Sequence, residues 1–371
     1  MRPYQLISSP ADWNDCLAHL QAAARLAIDL EANSMHAYRE QVCLIQISTP
    51  EFDFIIDPLI KVDWQPFGEI IESPDVEKVF HAAEYDLILL KRQFGWQIHN
   101  LFDTMWAARI LGYERCGLAS LLELFYGIKL DKRYQKSNWC KRPLSSEQLI
   151  YAQNDTHYLL DFRKRLLGEL ESAGRLEEAM EIFKEQTHVN LPNIDFNPES
   201  FWSISGASDL PPKKQSILKA LCIFRDEQAR RRDQPHFKVF NDRTLFEIAD
   251  LDPYSLDEMR HAHGMSGGQL KRYGSRLLSV VTKARKQPPP PPRKRKKRPS
   301  DDIVERYDKL HNWRKIRAQA RGVESDVIIS RDALWSIARE KPQSLEQLAA
   351  IPFVGEWRTK RFGTEILTII A

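Results

Sequence analysis

Several hallmarks of other protein classes are missing from this chain of 371 residues. It has no run of 18 or more apolar residues, which excludes a membrane-spanning helix of ordinary length. Its first residues lack the long apolar stretch of a secretory signal. The five cysteines, at positions 16, 43, 116, 140 and 222, include no Cys-x-x-Cys pair. That spacing argues against a zinc site and against a disulfide framework, so we expect a reducing, cytoplasmic environment.

Two further absences argue against a histidine-rich metal site and against a dinucleotide-binding site. The ten histidines form no cluster with the spacing of metal ligands. No Gly-x-Gly-x-x-Gly follows the first strand-like segment, so dinucleotide binding has no support. The length of the chain exceeds that of one ordinary core and predicts two to four domains.

The charge is divided unevenly along the chain. Residues 1–205 contain 20 Lys and Arg against 30 Asp and Glu, a balance of −10, whereas residues 206–371 contain 34 against 21, a balance of +13. Such an asymmetry predicts a basic region that engages a polyanion beside an acidic region with another task. Nucleic acid is the commonest polyanionic partner of a protein, and a membrane surface is a rarer one.

Residues 287–301 form a Pro-rich, basic segment that predicts a linker between domains. Five consecutive prolines favour an extended spacer, and six consecutive lysines and arginines follow at 293–298. The basic run is consistent with a phosphate-binding arm, an import signal or a solubilising linker.

An internal repeat with a constant offset of 89 residues lies on both sides of the linker. The offset aligns Leu221 with Leu310, and at its end residues 271–274 match residues 360–363 as Lys-Arg-Tyr/Phe-Gly. Each copy shows helical periodicity broken by Pro, Gly and Ser, which predicts a small all-α bundle.

Both copies resemble the helicase-and-ribonuclease-D C-terminal (HRDC) domain. The likeness lies in Trp313-Arg314, in the Leu-x-x-Ile-Ala element and in the Arg-Tyr/Phe-Gly start of the last helix. It implies an accessory module that docks nucleic acid or protein.

The N-terminal half shows a different pattern. Three short strand-like segments form an antiparallel meander, and alternating strands and helices follow. The expected strands are 26–32, 42–48, 52–57, 78–81 and 98–102, and the expected helices include 65–72 and 84–94. This order predicts an α/β domain with a mixed sheet and helices on its faces, in a ribonuclease H-like arrangement.

Two carboxylates stand out in the first of these strands. Side chains of a strand alternate between its faces, so Asp29 and Glu31 point the same way, opposite to the apolar residues between them. Neighbouring carboxylates repel each other and are costly to desolvate, so a hard divalent cation is their expected partner. An acidic pair that is merely solvated at a strand end is the alternative.

Three more residues are candidates for the same site. Asp86 lies in the first turn of an expected helix, where the helix dipole alone favours an acid. Tyr151 and Asp155 lie four apart on another helix, which begins after a Ser145-x-x-Gln148 capping box, so they share one face. Ordinary packing is the alternative for this pair.

Taken together, the Asp-x-Glu strand, the His-(x)4-Asp-Leu segment and the Tyr-x-x-x-Asp-x-x-Tyr-Leu helix resemble the DEDDy exonucleases. With the segment Trp139-Cys-Lys-Arg142-Pro-Leu and the two HRDC-like copies, the chain resembles the ribonuclease D family over nearly its whole length. The resemblance implies catalysis by Asp29, Glu31, Asp86, Tyr151 and Asp155.

The same resemblance implies two divalent ions, Mg²⁺ or Mn²⁺, which prefer oxygen ligands. Asp29 would hold both ions, Glu31 and Asp155 would complete one site, and Asp86 would complete the other. Tyr151 would orient the attacking water rather than deprotonate it, because the pKa of a free tyrosine is about 10.

Four more residues are candidate substrate contacts. Trp139, Lys141 and Arg142 precede the catalytic helix, where they could stack on bases or bind phosphate, and Trp139 could equally be a packing residue. His81 is a candidate neighbour of the site or an ordinary strand-end histidine. We expect Asp103 to cap a helix rather than to bind metal.

The resemblance implies a metal-dependent 3′→5′ exoribonuclease, expected to be a monomer, that trims small structured RNAs such as tRNA precursors and releases nucleoside 5′-monophosphates. The alternatives are a 3′→5′ DNA exonuclease with the same metal site and a non-catalytic scaffold that binds nucleic acid. The expected domains are the exonuclease domain at 1–205, one HRDC domain at 206–286, the linker at 287–301 and a second HRDC domain at 302–371.

Overall fold

The computed structural model describes residues 1–293 and 298–371, with the side chain of Lys132 left aside, so most of the basic run expected at 293–298 lies outside the described residues. The strands are β1 (Tyr4–Ile7), β2 (Arg25–Ala32), β3 (Val42–Ser48), β4 (Asp53–Ile56), β5 (Glu77–Phe80) and β6 (Leu101–Asp103). The α-helices of the N-terminal half are α1 (Pro10–Ala22), α2 (Gln65–Glu72), α3 (Glu84–Phe94), α4 (Thr104–Leu111), α5 (Leu118–Tyr126), α6 (Ser146–His157), α7 (Leu159–Ser172) and α8 (Leu176–Gln186).

The remaining α-helices are α9 (Pro212–Arg231), α10 (His236–Val239), α11 (Asp242–Leu251), α12 (Leu256–Met259), α13 (Gly267–Gln269), α14 (Ser275–Ala284), α15 (Asp301–Arg321), α16 (Ser325–Ile328), α17 (Arg331–Glu340), α18 (Leu345–Ala349) and α19 (Gly355–Ile370). Short 3₁₀ turns lie at Lys132–Tyr134 and Pro198–Ser203, and a π-helical turn lies at Leu270–Gly274. No helix among the described residues is long and apolar enough to cross a membrane.

The six strands form one mixed sheet in the order β1-β4-β3-β2-β5-β6. Strands β2, β3 and β4 pair antiparallel, whereas β1 joins β4, β5 joins β2 and β6 joins β5 in parallel. An antiparallel meander followed by parallel strands with helical connections is the expected arrangement. The predicted α/β fold class is therefore confirmed.

The expected helices 65–72 and 84–94 coincide with α2 and α3, and the expected strand 42–48 coincides with β3. The N-terminal β1 and α1 were not expected. Helix α1 begins at an ordinary signal, in which the Ser9 side chain accepts a hydrogen bond from the Asp12 N–H and Pro10 occupies the first turn. Strand β1 has only four residues, too few for a clear alternation of apolar and polar side chains. It pairs only with β4, at the edge of the sheet.

The chain divides into two compact units. One unit contains Met1–Ala32, Val42–Leu191 and Arg298–Ala371, and the other contains Asn33–Gln41 with the described part of Pro192–Lys297. The first unit therefore joins the second HRDC-like copy to the sheet domain. The boundaries expected from the sequence do not follow this division and stay a prediction.

Ion pairs fasten the second HRDC-like copy to α8 within the first unit. Arg358, only 3% exposed, lies 2.6 Å from a carboxylate oxygen of Glu185, and Glu181 accepts a hydrogen bond from the Trp357 N–H. Arg321 makes two hydrogen bonds to Glu178, which is 1% exposed. Buried charges of this kind need their partners, so this copy is an integral part of the unit.

The internal repeat is visible in the helices. Helix α17 begins and ends 89 residues after α11, and Leu221 and Leu310 are both fully buried in their own cores. The left-handed residues that end α11 and α17, Asp252 and Lys341, also keep the offset. The predicted pair of all-α bundles is confirmed.

One expectation about the cysteines is wrong. A disulfide joins Cys43 on β3 to Cys140 in the segment before α6, across 97 residues of sequence. Arg142 holds that segment on the sheet, because its guanidinium donates hydrogen bonds to the carbonyl oxygen of Cys43 and to both carboxylate oxygens of Asp57. Proximity of this kind is decided by tertiary contacts and leaves no mark in cysteine spacing.

Candidate metal centre

Strand β2 places two carboxylates on one face near the middle of the sheet. Leu26, Ile28 and Leu30 pack into the apolar core on its other face. Asp29 and Glu31 share the opposite face with Ala27, which belongs to a different core. The sequence pattern therefore positions both carboxylates, as expected.

Helix α6 brings the next two residues over that face. The predicted capping box is confirmed, since the Ser145 side chain accepts from the Gln148 N–H and the Gln148 side chain accepts from the Ser145 N–H. Farther along the helix, the hydroxyl groups of Ser48 on β3 and Thr156 lie 2.9 Å apart. This contact holds the part of α6 that carries Asp155 against the sheet.

Asp53 on β4 fastens α6 further, a role that the sequence did not suggest. Its buried carboxylate accepts a hydrogen bond from Gln153 at 2.7 Å and lies 2.6 Å from Nδ1 of His157. Burial raises the pKa of Asp53, but the hydrogen bonds from His157 and Gln153 outweigh it and keep the pKa below its usual value. In the sequence, the spacing of Gln153 and His157 by four residues indicates that their side chains lie on the same face of α6.

The carboxylates of Asp29, Glu31 and Asp155 meet at one point. One oxygen of each lies within 4.8 Å of the others, a grouping that fits a metal ion. Three hard oxygen donors at this separation suit Mg²⁺ or Mn²⁺ rather than a soft metal. The residues present therefore fit the divalent ion that the sequence predicts.

The electrostatics of the cluster point the same way. Burial raises the pKa of Asp29 to about 7. Burial, followed by the charges of Asp29, Asp155 and Asp86, raises the pKa of Glu31 to about 10. The pKa of Asp155 is also raised well above its usual value, by burial and then by Asp29. Without a cation the carboxylates tend to hold protons, and a bound cation would displace those protons.

Asp86 lies in the first turn of α3 and is buried. Its pKa is raised by burial and then by the charges of Asp29, Asp103 and Asp155, so these carboxylates are close enough to disfavour its ionised form. It is not among the three carboxylates within 4.8 Å of one another. This separation is compatible with a ligand of a second ion.

Asp103 caps α4 as expected, by accepting hydrogen bonds from the Met105 and Trp106 N–H groups. It also accepts from the N–H groups of Ala82 and Ala83. Ala82 has a φ of 64°, in the left-handed region that a side chain disfavours. Asp103 thereby stabilises the turn between β5 and α3 that presents Asp86.

Tyr151 lies beside the cluster on α6. Its pKa is raised by burial and then by the charges of Asp155, Glu31 and Asp29. Its ring stacks on Trp139, with centroids 6.0 Å apart and an angle of 28°. A tyrosine that holds its proton this firmly is suited to orienting a water molecule rather than to acting as a base.

The four candidate substrate contacts differ in placement. Trp139 is 1% exposed and packs in a core with Leu149 and Ala152, which favours the packing alternative. Arg142 is committed to Asp57 and to backbone carbonyls. Lys141 is exposed, and its contact with substrate stays a prediction.

His81 is the fourth candidate. Its Nδ1 lies 3.0 Å from the Thr104 hydroxyl, and its Nε2 is buried with no partner among the described residues. Burial lowers the pKa of His81 to about 4, so its ring is neutral at physiological pH. Its role in substrate binding also stays a prediction.

Comparison with known proteins places this geometry in a family. Residues 4–171 match the model of the 3′→5′ exonuclease family, and residues 214–281 and 304–370 each match that of the HRDC domain. Ribonuclease D of Cronobacter turicensis is 33% identical over 376 residues, which cover 96% of this chain and 98% of that protein. The chain belongs to the ribonuclease D family.

Other members of this wider group are similar over different extents. Protein RRP6-like 1 of Arabidopsis thaliana is 32% identical over 76% of the chain, but the chain spans only 46% of that protein's length. The crystal structure of Escherichia coli RNase D, described as an exoribonuclease involved in structured RNA processing, matches 100% of this chain and 99% of its own. That match has a TM-score of 0.71 and 26% sequence identity. The resemblance to ribonuclease D, expected from the motifs, is thus confirmed.

Proposed function

We propose that this member of the ribonuclease D family is a divalent-metal-dependent 3′→5′ exoribonuclease that releases nucleoside 5′-monophosphates. The observation that carries the proposal is the convergence of Asp29, Glu31 and Asp155 within 4.8 Å, with Tyr151 on the same helix as Asp155. Asp86 lies in the first turn of α3, and the charges of Asp29 and Asp155 raise its pKa. A non-catalytic scaffold would have no need of a full set of ligands in this order.

The residues present support distinct roles in that reaction. Asp29, Glu31, Asp86 and Asp155 would hold two ions of Mg²⁺ or Mn²⁺, with Asp29 shared between them. The bound metal would supply Lewis-acid stabilisation of the charge that develops on the phosphate and on the attacking and leaving oxygens. Tyr151, whose pKa is raised first by burial, would orient the attacking water by a hydrogen bond.

Small structured RNAs, such as tRNA precursors, are the proposed substrates. The E. coli relative is described as acting in structured RNA processing. Both HRDC copies expose a Lys-Arg pair at equivalent positions, Lys271-Arg272 and Lys360-Arg361. Exposed cations of this kind bind phosphate without reading sequence and would retain the folded body of an RNA.

A direct assay compares RNA and DNA strands of matched sequence, in Mg²⁺, in Mn²⁺ and in EDTA. We expect release of mononucleotides from the 3′ end of RNA with either metal and no release in EDTA. Asp29→Ala is the matched control and should be inactive while remaining folded. Faster hydrolysis of DNA would support the DNA exonuclease instead, and RNA binding without hydrolysis would support the scaffold.

The role of the HRDC copies calls for charge reversal rather than truncation. Removing residues 206–371 would take Arg321 and Arg358 away from Glu178 and Glu185 and would expose the surface of α8 that the second copy covers. We expect Lys271→Glu with Arg272→Glu to weaken binding of structured RNA and to reduce its salt dependence. Hydrolysis of short oligonucleotides should change little.

The equivalent pair, Lys360→Glu with Arg361→Glu, shows whether the two copies share this task. Equal loss of binding and of short-oligonucleotide hydrolysis would contradict a separate retention surface. The expected monomeric state and cytoplasmic location stay predictions.

A further inference from the structure

Gln46 lies directly beside the metal centre but has no assigned part in it. It occupies β3 opposite Asp29 in the antiparallel pair of β2 and β3. Residues that lie opposite each other in such a pair share one face, with Cβ atoms about 5 Å apart. The neighbouring residue on that face, Ser48, contacts Thr156 on α6. Gln46 therefore lies beneath the helix that carries Asp155.

The side-chain amide of Gln46 is entirely buried and unsatisfied. The residue is 0% exposed, and neither Nε2 nor Oε1 has a hydrogen-bond partner among the described residues. Burying an amide without partners is costly, and buried polar groups in native proteins are satisfied in nearly all cases. An apolar residue would pack here at no such cost, since most other residues of β3 are apolar.

A second buried glutamine gives a comparison within the same domain. Gln153, 2% exposed, donates hydrogen bonds to Asp53 and to the Arg2 carbonyl oxygen. Gln153 thus has the partners that a structural glutamine needs. Gln46 lacks them, although it is more deeply buried.

We propose that Gln46 is a positioning residue of the metal centre, whose Nε2–H donates a hydrogen bond to the Asp29 carboxylate when the site is loaded. This inference rests on the proposed function, because it assumes that the carboxylates bind a divalent ion. Gln46 lies opposite Asp29 in the register of β2 and β3, and its buried Nε2 has no other partner among the described residues. A carboxylate held by a cation accepts a charge-assisted hydrogen bond, which is stronger than a bond between two neutral groups.

A bound cation would also give the Oε1 atom of Gln46 a hydrogen-bond partner. A hydrated divalent ion brings water molecules into the site, and these donate hydrogen bonds, whereas carboxylates only accept them. Gln46 would thus fix the orientation of Asp29 through its donor and that of a water molecule through its acceptor. Groups that orient metal ligands in this way typically change metal affinity or activity by about 10- to 100-fold when they are removed.

The test substitutes Gln46→Met, which keeps the length of the side chain and removes both polar atoms. Stability is measured by thermal unfolding in EDTA, Mn²⁺ affinity by calorimetry, and hydrolysis on 3′-labelled RNA. We expect an unchanged or higher melting temperature without metal, because an unsatisfied amide is lost. We expect Mn²⁺ affinity to fall about 10-fold or more, and kcat to fall with little change in KM.

Gln153→Met is the matched control, since it removes a buried amide that has partners. It should lower the melting temperature in EDTA by leaving Asp53 poorly paired. A Gln46→Met protein that binds Mn²⁺ as tightly as the wild type would overturn the proposal. A lower melting temperature in EDTA with unchanged Mn²⁺ affinity would show a packing role instead.

The Mn²⁺ measurement separates this inference from the proposed function. If the wild type binds Mn²⁺ but hydrolyses no RNA, the proposed function fails while the comparison of affinities still tests Gln46. If the wild type binds no Mn²⁺, both fail together. Normal hydrolysis and normal Mn²⁺ binding by Gln46→Met would refute the positioning role alone.

Discussion

Replacing Asp29 by Asn should stabilise the metal-free protein at high pH, although it should abolish hydrolysis. Burial raises the pKa of Asp29 from 3.8 to about 7, so the folded protein holds its proton over a range in which the unfolded chain has lost it. In that range the stability of the wild type falls as pH rises, because the folded state binds more protons than the unfolded state. Asn has the same shape and no charge, so the variant escapes this loss.

The size of the expected gain in stability follows from the pKa shift of Asp29. Each unit of pKa corresponds to about 1.4 kcal/mol, so a rise of roughly three units sets an upper limit of about 4 kcal/mol at pH 8. The side chain of Asp29 is only partly buried, and the site can relax, so we expect the variant to be more stable by about 2–4 kcal/mol. At pH 4, close to the ordinary pKa, the gain should be under about 1 kcal/mol.

The assay is urea unfolding in EDTA at pH 4, 6 and 8, with the exposed Asp15→Asn as a control that should change little. Adding Mn²⁺ at pH 8 should narrow the difference between the two proteins, because ligand at 100 times its Kd stabilises the wild type by about 2.7 kcal/mol. The variant lacks a ligand and should gain less. A variant that is less stable at pH 8, or whose gain is the same at pH 4, would refute the reasoning.

Three further predictions follow from the same structure. Tyr151→Phe should lower kcat about 100-fold with Mn²⁺ affinity nearly unchanged, because only the orienting hydroxyl is lost; wild-type turnover would contradict its role. Reducing the Cys43–Cys140 disulfide should lower the free energy of unfolding by about 4–5 kcal/mol, because the bond closes a loop of 97 residues in the unfolded chain. Thermal unfolding with and without dithiothreitol would measure this loss. In a protein with both cysteines replaced by Ser, dithiothreitol should leave the stability unchanged. Glu178→Gln should cost about 2–3 kcal/mol in urea unfolding, because the partly buried Arg321 loses the buried carboxylate that it pairs with. Glu305→Gln, in an exposed pair, should change the free energy of unfolding little.

Local patterns predicted much of the fold and the site. Period-two alternation placed Asp29 and Glu31 on one face of β2, and the capping box located the start of α6. Both signals act within a few residues, so they can be read without knowing the tertiary structure. The repeat offset of 89 likewise predicted two equivalent bundles.

Other features depend on segments that are distant in the sequence. The disulfide joins Cys43 to Cys140 only because the chain before α6 returns to β3. The second HRDC copy belongs to the unit of the sheet domain because Arg321 and Arg358 meet α8. Charges at those positions look like ordinary surface residues when read along the chain.

For Gln46, the sequence shows one part of the argument and the tertiary structure the other. A polar residue in the apolar strand Val42–Ser48 is as visible in the sequence as the Asp-x-Glu pair. Only the cross-strand register shows that it lies opposite Asp29, and only the packing shows that its amide has no partner. The sequence alone thus determined which carboxylates could form a metal site, because strand and helix periodicity are local properties. The tertiary structure decided how closely they meet and what surrounds them, because those distances depend on how β2, β3, α3 and α6 pack.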